Sequence, residues 1–306
     1  MKNLLVHKKN MYFYPWTGNQ SNRCCQLLSN NPILFKTANL LRLMNATVPH
    51  FFYSDWKNQI ENSSLIILTD LAYISGLKKY IEKINNNCKV VYYFLNPIIN
   101  IPRGEEHLKV IKSEYGDQIY TFDYSDSKKY DIKYKHFFYQ PIKGYLSQSQ
   151  DCDEVFDLVY LGRDKERGGV LEKLYEQWND SLNIKFSVLG FKGMIGIDQP
   201  IEYKEYISYV QRSKAIVDVV NNGHIATNLR PMEALFYGKK LITNDGNIVL
   251  SEIYQYIKDR TLIVDFEHIS IDEVKEFLNR EVNAISLDML RDSNYSFDNW
   301  MNSFDE

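Results

Sequence analysis

Apolar runs alternate with helical segments along almost the whole chain, and this alternation limits the fold more than any other feature. Continuous apolar runs such as residues 65–70, 90–95 and 184–189 predict buried strands, and residues 135–139 predict a last short strand of the first half. The segments between such runs carry apolar residues at helical spacing and predict helices, among them residues 104–115, 203–211 and 271–279. Strands that alternate with helices pair in parallel and form doubly wound sheets. The sequence therefore predicts an α/β fold.

The alternation is interrupted once, between residues 141 and 154, by a polar stretch that contains Gly144, Asp151 and Asp153. Such a stretch is typical of a linker. A chain of 306 residues is also too long for one comfortable core. We therefore predict a first domain over residues 1–145, a second domain over residues 155–285, and a C-terminal helix over residues 286–306.

Composition argues against several classes of protein. The net charge is −3, which gives no strong field toward nucleic acid. The first residues form too short an apolar run for a signal peptide, and no apolar stretch approaches the length of a membrane span. The four cysteines form no CxxC pattern, so we expect reduced thiols without a metal role. These features favour a cytoplasmic protein.

The stretch from Ile225 to Asp245 reads as a polar loop, a short helix and a strand. Asn228 can cap the helix, and Pro231 fits its first turn. Arg230 and Glu233 then lie near a helix N-terminus, whose outward N–H groups attract phosphate. From there Glu233 can accept hydrogen bonds from two sugar hydroxyls. The alternative is a capped helix in which the glutamate only favours the helix dipole.

A second polar segment, from Gly162 to Gly169, follows a predicted strand and opens a helix. Its glycines let the backbone approach a phosphate, and Arg163, Lys165 and Arg167 supply positive charge. The chain has no GxGxxG or GxxxxGK[ST] motif, so neither a dinucleotide site nor a P-loop is supported. The alternative is a solvated turn, because two acidic residues of the segment nearly cancel the three bases.

These blocks and their order resemble the C-terminal domain of glycosyltransferases of the GT-B fold. The resemblance covers roughly residues 155–280. Its matching segments are Gly162-Arg163, Arg167-Gly168, Val188-Leu-Gly190, the helix and strand Tyr206–Val220, and the block Pro231-Met-Glu-Ala-Leu-Phe-Tyr-Gly-Lys-Lys-Leu-Ile-Thr243. The resemblance implies two facing Rossmann-like domains, of which the second binds a nucleotide sugar. It also implies the type that builds bacterial surface polysaccharide or lipopolysaccharide.

The resemblance also implies roles for single residues. Arg163 and Arg167 would face the diphosphate of the donor, and Glu233 would grip its ribose. The other residues assigned to the nucleotide-sugar site are Lys165, Gly190, His224, Asn228 and Arg230. The final helix would cross back to the first domain, anchored by its aromatic side chains Tyr295, Phe297, Trp300 and Phe304.

The chain departs from the family pattern at one position. Retaining members carry another glutamate eight residues before the one matched by Glu233, and this chain has Ile225 there. The resemblance therefore does not establish retention of the anomeric configuration. His224 or Asn222 could replace the missing contact, although His224 could equally be a loop histidine without a ligand.

In this fold the first domain holds the acceptor and, in inverting members, supplies a general base. Asp70 and His7 each close a predicted strand and are the candidates for that base. The alternative for either residue is a cap or a surface position. The first loop, with Thr17, Gly18 and Asn19, is expected to line the acceptor side.

No metal and no cofactor are expected. Asp123 and Asp126 have DxxD spacing rather than DxD spacing, and we expect them to cap the turn that follows. The donor nucleotide sugar is a substrate of the reaction.

The sequence therefore predicts a nucleotide-sugar-dependent glycosyltransferase whose acceptor is a glycan or a lipid-linked glycan. We expect it in the cytoplasm, and a peripheral contact with the inner face of the plasma membrane is left open. Two alternatives stand beside it. One is a catalytically silent partner that binds a glycan or nucleotide, and the other is a sugar-nucleotide epimerase of the same fold.

Overall fold

The structure is a computed structural model that describes residues 2–7, 21–43, 48–139, 141, 153–220 and 229–304. The chain forms two compact units. The first comprises Met1–Gln140 and Asn294–Glu306, and the second comprises Pro141–Ser293. Among the described helices, none is long and apolar enough to cross a membrane.

The first unit is built on one parallel sheet of six described strands. The strands are β1 (Lys2–His7), β2 (Asn22–Gln26), β3 (Ser63–Thr69), β4 (Lys89–Phe94), β5 (Ile119–Thr121) and β6 (Lys133–Tyr134). Their order across the sheet is β2-β1-β3-β4-β5-β6. The direction of progress therefore reverses between β1 and β3. The described α-helices before the linker are α1 (Pro32–Leu43), α2 (Leu77–Ile84), α3 (Gly104–Tyr115) and α4 (Tyr124–Tyr130).

The second unit is built on another parallel sheet of six described strands. The strands are β7 (Phe156–Arg163), β8 (Ile184–Leu189), β9 (Gly196–Ile197), β10 (Ser213–Asp218), β11 (Lys240–Thr243) and β12 (Thr261–Ile263). The described α-helices are α5 (Gly168–Trp178), α6 (Tyr203–Gln211), α7 (Leu229–Phe236), α8 (Tyr254–Ile257), α9 (Ile271–Asn279) and α10 (Leu287–Asp292).

Strand order identifies the second sheet as Rossmann-like. The order is β12-β11-β10-β7-β8-β9. When β7 is numbered 1 and the sheet is read from the β9 edge, this order is 3-2-1-4-5-6. It is the strand order of the doubly wound dinucleotide-binding fold. The order reverses between β7 and β10, so this sheet has its switch point there. The predicted α/β class, with two Rossmann-like sheets, is confirmed.

Burial on both faces explains why the central strands are continuously apolar. Leu4, Leu5 and Val6 of β1 are fully buried, as are Leu158 and Val159 of β7. Such strands need helices on both sides of the sheet. The alternation in the sequence supplies those helices.

The last helix of the chain, α11 (Phe297–Asn302), belongs to the first unit. Phe297, Trp300 and Met301 pack in one buried cluster with sheet residues of β1, β3 and β4. The Trp300 indole N–H donates to the carbonyl of His136 at 2.7 Å. Helix α11 thus covers one face of the first sheet, as predicted for a C-terminal helix that crosses back.

The predicted C-terminal segment 286–306 is wrong in one respect, because it is not a single piece. Helix α10 lies in the second unit and α11 in the first, with the division after Ser293. The Ser293 hydroxyl donates to the carbonyl of Leu290, and its backbone is extended. A side chain that bonds the preceding turn in this way competes with helix continuation.

The predicted strand at residues 135–139 is also wrong. The strand there is β6, which ends at Tyr134, and Tyr139 forms only an isolated bridge. The Tyr93 hydroxyl donates to the carbonyls of Lys135 and His136, at 3.1 Å and 3.2 Å. The N–H of Lys135 donates to the carbonyl of Thr121 in β5 at 2.9 Å, and beyond this bond side chains take the place of strand pairing.

Candidate functional site

The carboxyl ends of β7 and β10 form the switch point of the second sheet. The two strands are paired, with Leu158 opposite Ala215 and Val159 opposite Ile216. In doubly wound folds, ligands bind outside the carboxyl ends of the strands at such a point. Two predicted blocks begin or end there, namely the segment after β7 and the start of α7.

Arg230 connects these two blocks. Its Nη2 donates to the carbonyl of Leu161 at 2.9 Å, and its Nη1 lies 3.4 Å from Oδ1 of Asp218. The guanidinium lies 4.4 Å from the ring centroid of Tyr160, and the side chain is only 11% exposed. Burial disfavours the charged guanidinium, but Tyr160 and Asp218 outweigh it and raise the pKa of Arg230. Arg230 thus fixes the start of α7 to both strands.

Gly162 makes this arrangement possible. A Cβ atom at Gly162 would lie 2.8 Å from the Tyr160 hydroxyl and 2.9 Å from Nη2 of Arg230. The glycine of the predicted Gly162-Arg163 pair therefore provides space for the arginine of the second block.

Asp218, which the sequence analysis did not single out, is the buried partner of Arg230. Its Oδ2 accepts a hydrogen bond from the Thr243 hydroxyl at 3.2 Å. A charged residue inside an otherwise apolar strand requires a partner when it is buried. That requirement was a signal in the sequence, although it did not say which residue the partner is.

Glu233 is buried beneath the start of α7 rather than open to solvent. The hydroxyls of Tyr203 and Tyr206, both on α6, donate to Oε1 at 2.9 Å and to Oε2 at 2.7 Å. The hydroxyls that donate to Glu233 in this structure are therefore those of two tyrosines. Because a carboxylate has about four acceptor positions, these bonds do not exhaust it. The predicted contact with ribose stays a prediction.

Burial raises the pKa of the Glu233 carboxyl, while hydrogen bonds from Tyr206 and Tyr203 and the charge of Arg230 act in the opposite direction. Because the pKa of Glu233 is higher in the folded state than in the unfolded state, its protonation stabilises the fold. This contribution to the free energy of unfolding is fully present below the ordinary pKa of 4.5. That stability is lost as pH rises through the raised folded-state pKa.

We therefore expect the Glu233→Gln variant, which cannot ionise, to gain stability relative to the parent as pH rises from about 4 to 8. The gain should be about 1.4 kcal/mol for each unit by which the pKa is raised. Urea unfolding of both proteins across this pH range measures it. A stability difference that does not change with pH would contradict a raised pKa for Glu233.

The segment after β7 is an ordered turn. The N–H of Arg167 donates to the carbonyl of Asp164 at 2.8 Å, and the N–H of Asp164 donates to Leu189 at the end of β8, at 3.0 Å. Lys165 and Glu166 both have positive φ, 42° and 67°. This is the geometry of a type I′ turn, which asparagine and glycine normally occupy.

The three basic residues of this turn differ in exposure. Arg163 and Lys165 are exposed, and Arg167 is half-buried. Oδ1 of Asp164 accepts from the N–H of Gly168 at 2.9 Å, so a carboxylate already caps the first turn of α5. The expected anion site at this helix end therefore includes one N–H that is paired within the protein.

Gly190 follows β8 with φ of 83°, a left-handed conformation that favours glycine. The next residue, Phe191, packs its ring against Gly168, where a Cβ atom would lie 2.1 Å from a ring carbon. No local sequence pattern connects Phe191 with the start of α5, so this contact could not be predicted from the sequence. The turn after β7 and the end of β8 are thus neighbours at the same edge of the sheet.

His7 and Asp70 lie at the carboxyl ends of β1 and β3, between which the first sheet reverses its order. His7 is buried. Asp70 accepts hydrogen bonds from the N–H of Leu95 at 3.0 Å and from Nδ2 of Asn96 at 2.8 Å. Asp70 therefore ties the end of β4 to that of β3. The predicted role of either residue as a base stays a prediction.

Five predicted site residues lie outside the described residues, namely Thr17, Gly18, Asn19, His224 and Asn228. Asp123 caps α4, as predicted, by accepting from the N–H of Asp126 at 3.0 Å. The Oδ2 atom of Asp126 accepts from the N–H of Ile98 at 2.7 Å. Within the described part of the chain, no group of three His, Cys, Asp or Glu side chains is placed to hold a metal ion.

Comparison with known proteins gives matches among solved structures. No protein-family model matches the chain, and no curated protein matches it. Among solved structures, the chain is similar to one described as "Trehalose-6-phosphate from E. coli bound with UDP-2-fluoro glucose". The two chains are 11% identical with a TM-score of 0.47, over 98% of this chain and 90% of the other. At these values the similarity carries no conclusion about activity or ligands.

Proposed function

We propose that the chain is a glycosyltransferase that uses a nucleotide-sugar donor. The observation that carries the proposal is the hydrogen bond from Arg230 to the carbonyl of Leu161, across 69 residues of sequence. This bond joins the two blocks that the motif order assigns to donor binding. It does so at the switch point, where doubly wound folds bind nucleotides.

The reaction would break the bond between the anomeric carbon of the sugar and the diphosphate oxygen. Negative charge then grows on the leaving diphosphate, and Arg163, Lys165 and Arg167 are proposed to stabilise it. The new bond forms between the anomeric carbon and an acceptor hydroxyl oxygen. Asp70 and His7 are the proposed candidates for the base that takes the hydroxyl proton.

The other contacts with the donor are proposals of the same kind. Glu233 is proposed to bind the ribose, and Gly190 is proposed to allow a close approach of the backbone. His224 and Asn228 are proposed to complete the donor site. The motif order further supports a glycan or lipid-linked glycan acceptor in bacterial surface polysaccharide synthesis, and with it a cytoplasmic enzyme in peripheral contact with the membrane.

Incubation with a panel of UDP-, GDP-, ADP-, dTDP- and CMP-sugars tests the proposal. A transferase releases the nucleotide from one donor, and its rate rises when a suitable glycan acceptor is added. Conversion of the donor sugar without any acceptor would instead indicate an epimerase. Nucleotide stabilisation in a thermal-shift assay without turnover would indicate a silent binding partner. No binding and no turnover with any donor would contradict the transferase, the epimerase and a partner that binds nucleotide.

We expect Arg163→Ala and Arg167→Ala to weaken binding of the cognate nucleoside diphosphate by roughly tenfold to a hundredfold, the effect of losing one charge-assisted hydrogen bond. The matched control is Arg212→Ala. Arg212 is exposed and immediately precedes β10, at the amino end of the same sheet. Titration calorimetry measures the affinities and melting curves verify the fold. If all three variants bind the nucleoside diphosphate as tightly as the parent does, the turn does not bind the diphosphate.

A further inference from the structure

Helix α1 exposes two large apolar side chains to solvent, in addition to the apolar side chains that it packs on the core. Ala38 is fully buried, and Leu34 and Phe35 pack against the core of the first unit. On the other side, Ile33 is 75% exposed and Leu40 is 57% exposed. The two are seven residues apart and so share one helical face. A surface helix normally carries polar residues there.

A second element, which contacts α1, adds a third exposed apolar side chain. The 3₁₀ helix His50–Phe52 contacts α1, and its Phe51 is 56% exposed. The Phe51 ring stacks on the buried ring of Phe52 at 4.2 Å, which holds it at the surface. We call Ile33, Lys36, Leu40 and Phe51 the α1 surface. Lys36 is exposed and lies between Ile33 and Leu40 on the helix.

The α1 surface lies in the part of the chain that has no acidic residue. Residues 1–54 contain six Lys and Arg and no Asp or Glu. Because the whole chain carries a net charge of −3, the remaining residues carry −9. This is a marked charge asymmetry within an acidic protein. A segment of one sign attracts surfaces of the opposite sign.

We propose that the α1 surface binds an anionic phospholipid bilayer. Ile33, Leu40 and Phe51 would enter the boundary between head groups and acyl chains, and Lys36 would contact lipid phosphates. Four side chains supply only a small part of the roughly 800 Å² per partner that a stable protein interface buries. A bilayer needs no such flat, complementary area, so lipid fits this surface better than a folded partner does.

This inference deepens the proposed function, since it names a surface for the membrane contact included there. It rests on the proposed function only to that extent. Vesicle binding is measured without nucleotide sugar or acceptor. An inactive protein that binds vesicles, or an active one that does not, therefore separates the two proposals.

The test is co-sedimentation of the full chain with vesicles made of equal parts of phosphatidylglycerol and phosphatidylcholine. Vesicles of phosphatidylcholine alone are the comparison. We expect roughly tenfold tighter binding to the anionic vesicles, and a loss of this preference when salt is raised. Equal binding to both kinds of vesicle, or no binding to either, would overturn the proposal.

Two variants locate the binding on the α1 surface. The triple variant Ile33→Ser, Leu40→Ser, Phe51→Ser should reduce anionic vesicle binding by roughly tenfold. The matched control is Ile99→Ser, Leu250→Ser, because these side chains are 81% and 80% exposed outside the acid-free segment. Melting curves should match the parent, since exposed side chains contribute little to stability.

The charge contribution is tested by Lys36→Glu, with Lys109→Glu of helix α3 as its control. Only the Lys36 variant should lose binding to anionic vesicles. Unchanged vesicle binding in both the triple variant and Lys36→Glu would overturn the proposal. A second result would also overturn it, namely a parent protein that sediments as a dimer and a triple variant that sediments as a monomer but still binds vesicles. The α1 surface would then bind a second copy of the chain.

Discussion

Replacing Trp300 with alanine is expected to destabilise the first unit by about 3–5 kcal/mol, the usual cost of a large cavity in a core. The Trp300 side chain is fully buried, and its ring contacts the rings of Tyr93, Phe138 and Phe304 at centroid distances of 5.1, 4.6 and 4.8 Å. Alanine also leaves the carbonyl of His136 without its indole donor. Both losses affect the contact between α11 and the sheet.

Urea unfolding followed by circular dichroism measures the change. Trp300→Phe should fall between the parent and the alanine variant, because it keeps a ring and loses the N–H donor. Ile99→Ala, at an exposed position, is the control and should change the free energy of unfolding by less than about 0.5 kcal/mol. A Trp300→Ala protein as stable as that control would show that α11 is not anchored on the sheet.

Arg230→Met is expected to destabilise the second unit by about 3–5 kcal/mol, since it leaves the buried carboxylate of Asp218 without its charged partner. The carbonyl of Leu161 also loses its donor. Methionine fills much of the volume, so the effect reports mainly on charge and hydrogen bonding. Nucleotide binding should weaken as well, because the start of α7 is no longer fixed to β7.

A double-mutant cycle separates this pair from its surroundings. We expect Arg230→Met with Asp218→Asn to cost less than the sum of the two single changes, by about 1–3 kcal/mol. Unfolding free energies of the parent, both single variants and the double variant supply the four values. Additivity within about 0.5 kcal/mol would mean that Arg230 and Asp218 do not act as a unit.

Local periodicity gave correct bounds for several elements that turn one face or both faces toward a core. The bounds of α3, β8, α6 and α9 match the predicted segments 104–115, 184–189, 203–211 and 271–279. The strands that were missed are short edge strands. Strand β2 (Asn22–Gln26) has no apolar run, and it is a strand because it pairs with β1. Such pairing depends on a neighbour that is distant in sequence.

For the candidate site, the sequence by itself determined which residue types meet at which ends of the elements. Helix-start chemistry and strand-end glycines were enough to select Arg230, Glu233 and Gly162. These preferences involve residues within a turn or two of one another, so they can be read along the chain. The structure confirms that α7 begins as predicted, with Arg230 in its first turn.

Only the tertiary structure decided which partners these side chains have. Arg230 bonds a carbonyl 69 residues earlier, and Glu233 accepts from tyrosines 30 and 27 residues earlier. The polar groups of a buried side chain must be satisfied by the groups that the fold brings within about 3 Å. Which groups those are follows from strand order and helix packing. A residue's type and neighbours along the chain therefore fix its chemistry, whereas the topology of the sheet fixes its partner.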